Sequence, residues 1–153
     1  MRLFRAVVLA ASIITTLAAA DSVRIWTGAD LKSASATLAP EAQAKSIAGK
    51  TLGAWVNQSA SLWRRTKTGE AEMHKTKTDL IVIEQGSATL VFGGTIPDAH
   101  ATQANEVRGK SIQHGESRKL APGDIVRIPA GTPHQFVLEK GEEVAYFAMK
   151  LAR

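Results

Sequence analysis

A chain of 153 residues with a formal charge of +5 and no cysteine has room for one hydrophobic core. Without cysteine it has neither a disulfide framework nor thiolate ligands, so packing must stabilise it and any metal must be held by nitrogen and oxygen. The basic residues are scattered, with only Arg64-Arg65-Lys67 and the Lys75/Lys77 pair close together, which is a solvated charged surface rather than a nucleic-acid footprint.

Residues 1–20 carry Arg2 and Arg5, an apolar stretch from Ala6 to about Ala18, and Ala18-Ala19-Ala20 before Asp21. A basic start, an apolar middle and a small-residue site predict a signal peptide cleaved after Ala20, and so a periplasmic or secreted protein. An uncleaved anchor helix is the alternative, but the stretch is short against the about 20 residues of a membrane span. Cleavage would remove Arg2 and Arg5 and take the formal charge from +5 to +3, leaving no predicted membrane contact.

Residues 21–50 are rich in alanine and lysine. Residues 22–26 are expected to add a short strand to a sheet edge. Asp30 is the expected N-cap of a helix over residues 31–38, Pro40 starts a second helical turn through Ile47, and Gly49 stops it. This segment carries no chemistry and is expected to pack across a barrel or a dimer partner.

From residue 51 the pattern changes to period two and defines a second unit, residues 51–153. Leu52, Ala54 and Val56 alternate, Asn57-Gln58 turns, and residues 60–66 form a strand in which Trp63 faces opposite Arg64. Gly69 turns the chain into a strand bearing Glu72 and His74. An apolar run over residues 80–83 follows, then a tight turn at Gln85-Gly86 and a return strand over residues 87–92. Residues 95–117 break the rhythm with Pro97, His100, Asn105, Gly109 and Gly115. A polar connection of that length is expected to be a lid or a mobile loop, with His100 and His114 on its surface. Residues 125–128 make a strand, Pro129-Ala130-Gly131 a turn, and His134 opens a strand with Phe136 and Leu138 on its own side. The last strand, residues 144–151, puts Tyr146 and Ala148 on one face and Phe147 and Met149 on the other. About seven short β segments in roughly 100 residues predict an all-β barrel or sandwich.

Strand geometry gives this pattern its chemistry. Residues i and i+2 share a face, so Glu72 and His74 aim into one space, while Asp79 shares a face with Ile81 and Ile83. Converging carboxylates and imidazole suit a divalent metal and are costly to bury otherwise. With His134 they make a three- or four-ligand set of Glu72, His74, Asp79 and His134, with Glu72 and Asp79 also the candidate catalytic carboxylates. Such nitrogen and oxygen donors suit Fe, Mn, Cu, Zn or Ni. Arg64 and Gln135 are expected to support these ligands, with Tyr146 a further candidate. Trp26, Trp55 and Trp63 are read as core or interface.

These two stretches resemble the paired motifs of the cupin superfamily. In the first, G-x5-H-x-H-x3,4-E-x6-G, His74 takes the second histidine, Asp79 the glutamate and Gly86 the closing glycine. Glu72 stands in place of the first histidine, and Thr66 in place of the leading glycine. In the second, G-x5-P-x-G-x2-H-x3-N, Gly123, Pro129, Gly131 and His134 match, with Leu138 replacing the final asparagine. The resemblance implies a single-domain jelly-roll β-barrel that commonly forms homodimers. It also implies a metalloenzyme acting on a small organic or carbohydrate substrate, with dioxygenase or oxidase chemistry favoured. A non-catalytic module binding a sugar or other small ligand is the alternative. Copper-dependent oxidative cleavage of polysaccharide is another.

Overall fold

The computed structural model describes residues 22–152, and the expected signal peptide lies outside them. Residues 22–26 form no strand, contrary to expectation, and the first element is the helix α1 (Gly28–Lys45). Thr27 is its N-cap, and Asp30 is the third helical residue of a capping box rather than the cap itself. The expected break at Pro40 does not occur. Proline removes one backbone donor from a helix interior, but Leu31, Ser35, Leu38 and Ala42 recur on one buried stripe across that point. This stripe packs on Ala48 and Leu62, and tertiary burial outweighs local propensity. The helix ends at Ser46 in the left-handed region (φ 72°). Gly49 is instead a sheet residue lying under the Trp63 ring, where a Cβ would overlap the indole.

Eleven strands follow: β1 (Ile47–Ala54), β2 (Gln58–Arg65), β3 (Ala71–His74), β4 (Lys77–Gly86), β5 (Ala88–Phe92), β6 (His100–Gln103), β7 (Glu106–Gly109), β8 (Glu116–Leu120), β9 (Ile125–Ile128), β10 (His134–Val137) and β11 (Val144–Ala152). They form a five-stranded sheet in the order β1-β2-β11-β4-β9 and a six-stranded sheet in the order β6-β7-β3-β10-β5-β8, with antiparallel pairing in both. The sheet therefore begins at Ile47, four residues before the boundary expected at residue 51. Ile81, Ile83, Tyr146 and Ala148 from the first sheet meet Leu90 and Phe136 from the second in one core, the arrangement of a jelly-roll.

Two further expectations change. The segment after Gly86 is not a return strand paired with β4. It crosses to the other sheet, where β5 pairs with β10 and β8. Gly86 (φ +71°) makes that crossing against the Glu143 backbone, and Ser87 N donates to Glu143 O at 3.0 Å. Residues 95–117 are not loop throughout either. They contain the β6–β7 hairpin, and β7 pairs directly with β3.

Candidate metal centre

Two short strands and one long one set the centre. In β3, Glu72 and His74 point inward together, as their spacing of two requires. β10 lies beside β3 with His134 opposite Glu72. From the facing sheet, β4 contributes Asp79, which is paired across strands with Lys150 of β11. His74, His134 and Asp79 are each at most 5 % exposed, so the four residues singled out in the sequence meet at one buried point.

His134 Nε2 stands 3.5 Å from a Glu72 oxygen and 3.5 Å from an Asp79 oxygen. His74 Nε2 lies 3.4 Å from Asp79 Oδ2 and 3.9 Å from Glu72 Oε2. The outer ring nitrogens are tied down. His74 Nδ1 faces Glu106 Oε2 at 3.1 Å, and His134 Nδ1 donates to the Thr132 carbonyl at 3.0 Å. Each contact leaves the corresponding Nε2 facing the centre, as for a metal-binding imidazole.

Glu106 and Arg108 come from β7, where register sets Glu106 against His74 and Arg108 against Glu72. The Arg108 guanidinium bridges both acids, at 2.7 Å to Glu72 and 2.7 Å to Glu106. On the opposite side Lys150 Nζ contacts Asp79 at 3.0 and 3.2 Å and His74 Nε2 at 2.6 Å.

These contacts set the charges. Burial opposes ionisation of Glu72, but His134 and Arg108 outweigh it and hold the carboxyl well below its ordinary value. Burial likewise works against charge on Asp79, and His134 and Lys150 overcome it. Burial lowers the His74 imidazole, helped by the Lys150 charge and only partly countered by Asp79 and Glu72, so its Nε2 is an acceptor. His134 goes the other way. Burial disfavours its charged form, yet Asp79 and Glu72 raise it to about 9. At 3.5 Å these are attractions of charge more than well-formed hydrogen bonds.

The donor set fits a divalent ion. Glu72, His74 and His134 each offer a ligand atom within 4.8 Å of the others. Donors at about 2.1 Å around a tetrahedral ion are about 3.4 Å apart, close to the 3.4–3.5 Å separations among His74, Asp79, His134 and Glu72. His134 Nε2 is also fully buried without a hydrogen-bond partner among the described residues and faces both acids, a place where a bound cation would satisfy all three groups.

The centre opens into a cavity of about 580 Å³, within the range of small-molecule sites. Trp63, Ile81, Phe136 and Tyr146 supply its apolar walls, and Arg65 lines it as well. Phe136 and Tyr146 stack with ring centroids 4.8 Å apart.

Several expected roles change. Arg64 points away from the centre to Glu143 and Ser35, because it alternates with Trp63 and Arg65 along β2. Gln135 bonds the Gly69 and Lys110 carbonyls and so fixes the turn before β3 rather than a ligand. His100 and His114 are exposed, as expected. Trp26 packs on Trp55 and Phe147.

Sequence reasoning missed Glu106, Arg108, Lys150 and Arg65. Lys150 was within reach, because it shares the face of Tyr146 and Ala148. Arg65 shares the face of Trp63 in the same way. Glu106 and Arg108 have the same spacing of two, but they lie in the polar segment read as loop.

Two facing antiparallel sheets with a histidine–carboxylate centre between them give this chain a jelly-roll fold like that of solved cupin-type structures. No family model matches the sequence, and neither does any curated protein. Solved structures do. KdgF from Halomonas sp. is 17 % identical with a TM-score of 0.51, over 71 % of this chain and 83 % of its own. The polyketide cyclase RemF from Streptomyces resistomycificus is 18 % identical with a TM-score of 0.51, over 71 % and 67 %. A sugar phosphate isomerase of the cupin superfamily from Silicibacter pomeroyi is 17 % identical with a TM-score of 0.51, over 73 % and 63 %.

Proposed function

We propose that this chain is a metal-dependent cupin enzyme that acts on a small organic molecule held in the cavity, with Glu72, His74 and His134 as metal ligands and Asp79 beside them. The observation that carries this reading is His134 Nε2, buried, without a hydrogen-bond partner among the described residues and flanked by two carboxylates. A bound divalent ion supplies Lewis acidity at a substrate oxygen or, for a redox-active metal, an electron-transfer centre. The chain's own groups do the rest. Glu106 and Thr132 fix the tautomers of the two imidazoles, and Arg108 keeps Glu72 ionised. Asp79 and Lys150 form a donor–acceptor pair at the edge of the cavity, positioned to move a proton. The apolar walls exclude water from the substrate.

Two structural neighbours bear the names of a cyclase and an isomerase, which favours non-oxidative chemistry over the dioxygenase or oxidase expected from the sequence. Export through residues 1–20 belongs to the same proposal, because their pattern is that of a signal peptide. Metal analysis of protein purified without added ions tests the reading. The expected result is about one divalent ion per chain, lost in His74→Ala and His134→Ala. Protein that purifies metal-free and takes up none of Mn, Fe, Ni, Cu or Zn would end it.

A second reading rests on Lys150. Its ammonium already neutralises Asp79 and contacts His74 Nε2, so it can serve as the resident cation of a metal-free acid–base site. The two readings diverge in Lys150→Met. A metal site gains affinity when a competing charge is removed, whereas a lysine site loses activity and still binds no metal.

A further inference from the structure

Arg65 is only 8 % exposed, and among the described residues no carboxylate oxygen lies within 4.0 Å of it. Buried guanidinium groups are normally paired, because an uncompensated buried charge is costly. Among the described residues, the one side-chain bond of Arg65 is from Nε to the Tyr146 hydroxyl at 3.1 Å. Its two terminal nitrogens make no protein hydrogen bond among the described residues, and Arg65 is one of the residues that line the cavity. Gly69 makes this placement possible, since a Cβ there would overlap Arg65 Nη1. Arg65 thus brings to the cavity a guanidinium that has no protein acid beside it, held through Nε by Tyr146 and lying against Gly69.

The surroundings point the same way. Arg108 is engaged by Glu72 and Glu106, and Lys150 by Asp79, so the other buried or half-buried cations of the cavity are already spoken for. Burial raises the Tyr146 hydroxyl despite the nearby Arg65 charge, so it stays protonated and keeps its own O–H to donate. Trp63, Phe136 and Tyr146 form apolar wall of the same cavity that Arg65 and the histidine–carboxylate centre line.

We infer that Arg65, backed by Tyr146, is the anchor for a carboxylate on the substrate, whose uncharged body lies along the aromatic wall toward the centre. A guanidinium fork matches the two oxygens of a carboxylate. The inference deepens the proposed function by naming the substrate class, and it rests on that reading only for what happens at the far end of the cavity.

Binding can be measured without knowing the substrate. Acetate, pyruvate and benzoate, each with its amide, and inorganic phosphate would be titrated calorimetrically into the wild type, Arg65→Lys and Arg65→Met, with Mn(II) or Zn(II) titrated separately. At least one carboxylate is expected to bind the wild type about 10- to 100-fold more tightly than its amide, the span of a hydrogen-bonded charge. Arg65→Met should abolish that preference and leave metal uptake unchanged, while Arg65→Lys keeps a weaker one. Equal binding of acid and amide, no binding of any carboxylate, preference for phosphate, or full carboxylate affinity in Arg65→Met would each overturn the inference. Should Arg65→Met not fold, the acid–amide comparison on the wild type decides it. Carboxylate binding without metal uptake would support the anchor while refuting the metal reading.

Discussion

Glu106 never reaches the centre itself, yet it holds His74 through Nδ1 at 3.1 Å and is in turn held by Arg108 at 2.7 Å. Glu106→Ala removes the carboxylate that faces Nδ1 and favours Nε2 inward. It also leaves Arg108 free to draw harder on Glu72, the neighbouring ligand. Loss of such an outer partner typically lowers metal affinity about 10- to 100-fold, which corresponds to about 1.4–2.7 kcal/mol. Glu106→Gln retains an oxygen beside Nδ1 and should recover most of the loss, because that polar neighbour rather than its charge orients the ring. The assay is competition with a chromogenic chelator for Zn(II) or Mn(II), and circular dichroism checks that the fold is kept. Wild-type affinity in the alanine variant, or equal losses in both variants, would refute the reasoning that Glu106 acts by orienting His74.

Three other outcomes are expected. Gly86→Ala should be markedly more destabilising than Gly123→Ala in urea titrations. Both sites have positive φ, which costs about 1–2 kcal/mol for a side chain, but only at Gly86 would the Cβ overlap the Glu143 backbone. Similar losses in the two variants would count against the crossing described here. Leu62→Ala should cost about 3–5 kcal/mol, because Leu62 is fully buried between helix and sheet; thermal unfolding that barely moves would show the helix to be loosely attached. The metal-free protein should lose stability as pH rises. The folded His134 pKa is raised to about 9, so its stabilisation is complete below about 6.5 and is lost through about 9, by about 3 kcal/mol at most. Urea midpoints in EDTA from pH 6 to 10 check this, and a flat profile would contradict the charge arrangement around His134.

Much of the centre could be read from the chain because strand periodicity is strict. Glu72 with His74, and Asp79 with Ile81, follow from alternation alone, and the glycine and proline punctuation located His134. Failures came where a long-range partner decided the outcome. Pro40 stays inside a helix because Leu31, Leu38 and Ala42 find the β1–β2 surface, which no local rule contains. Gly86 ends one strand as expected, but whether the next strand returns or crosses depends on which sheet has an open neighbour. The β6 strand, exposed at all four residues, has no apolar alternation to betray it. Glu106 and Arg108 were therefore hidden with it.

That hairpin has an evolutionary consequence. The groups that would coordinate an ion sit on β3, β4 and β10, whereas the acid and guanidinium that bias them hang from a separate, peripheral excursion of the chain. Mutation or replacement of this excursion can retune the centre's affinity and proton balance without replacing a single coordinating side chain. The inner scaffold can then stay fixed while its reactivity diverges from one descendant to the next.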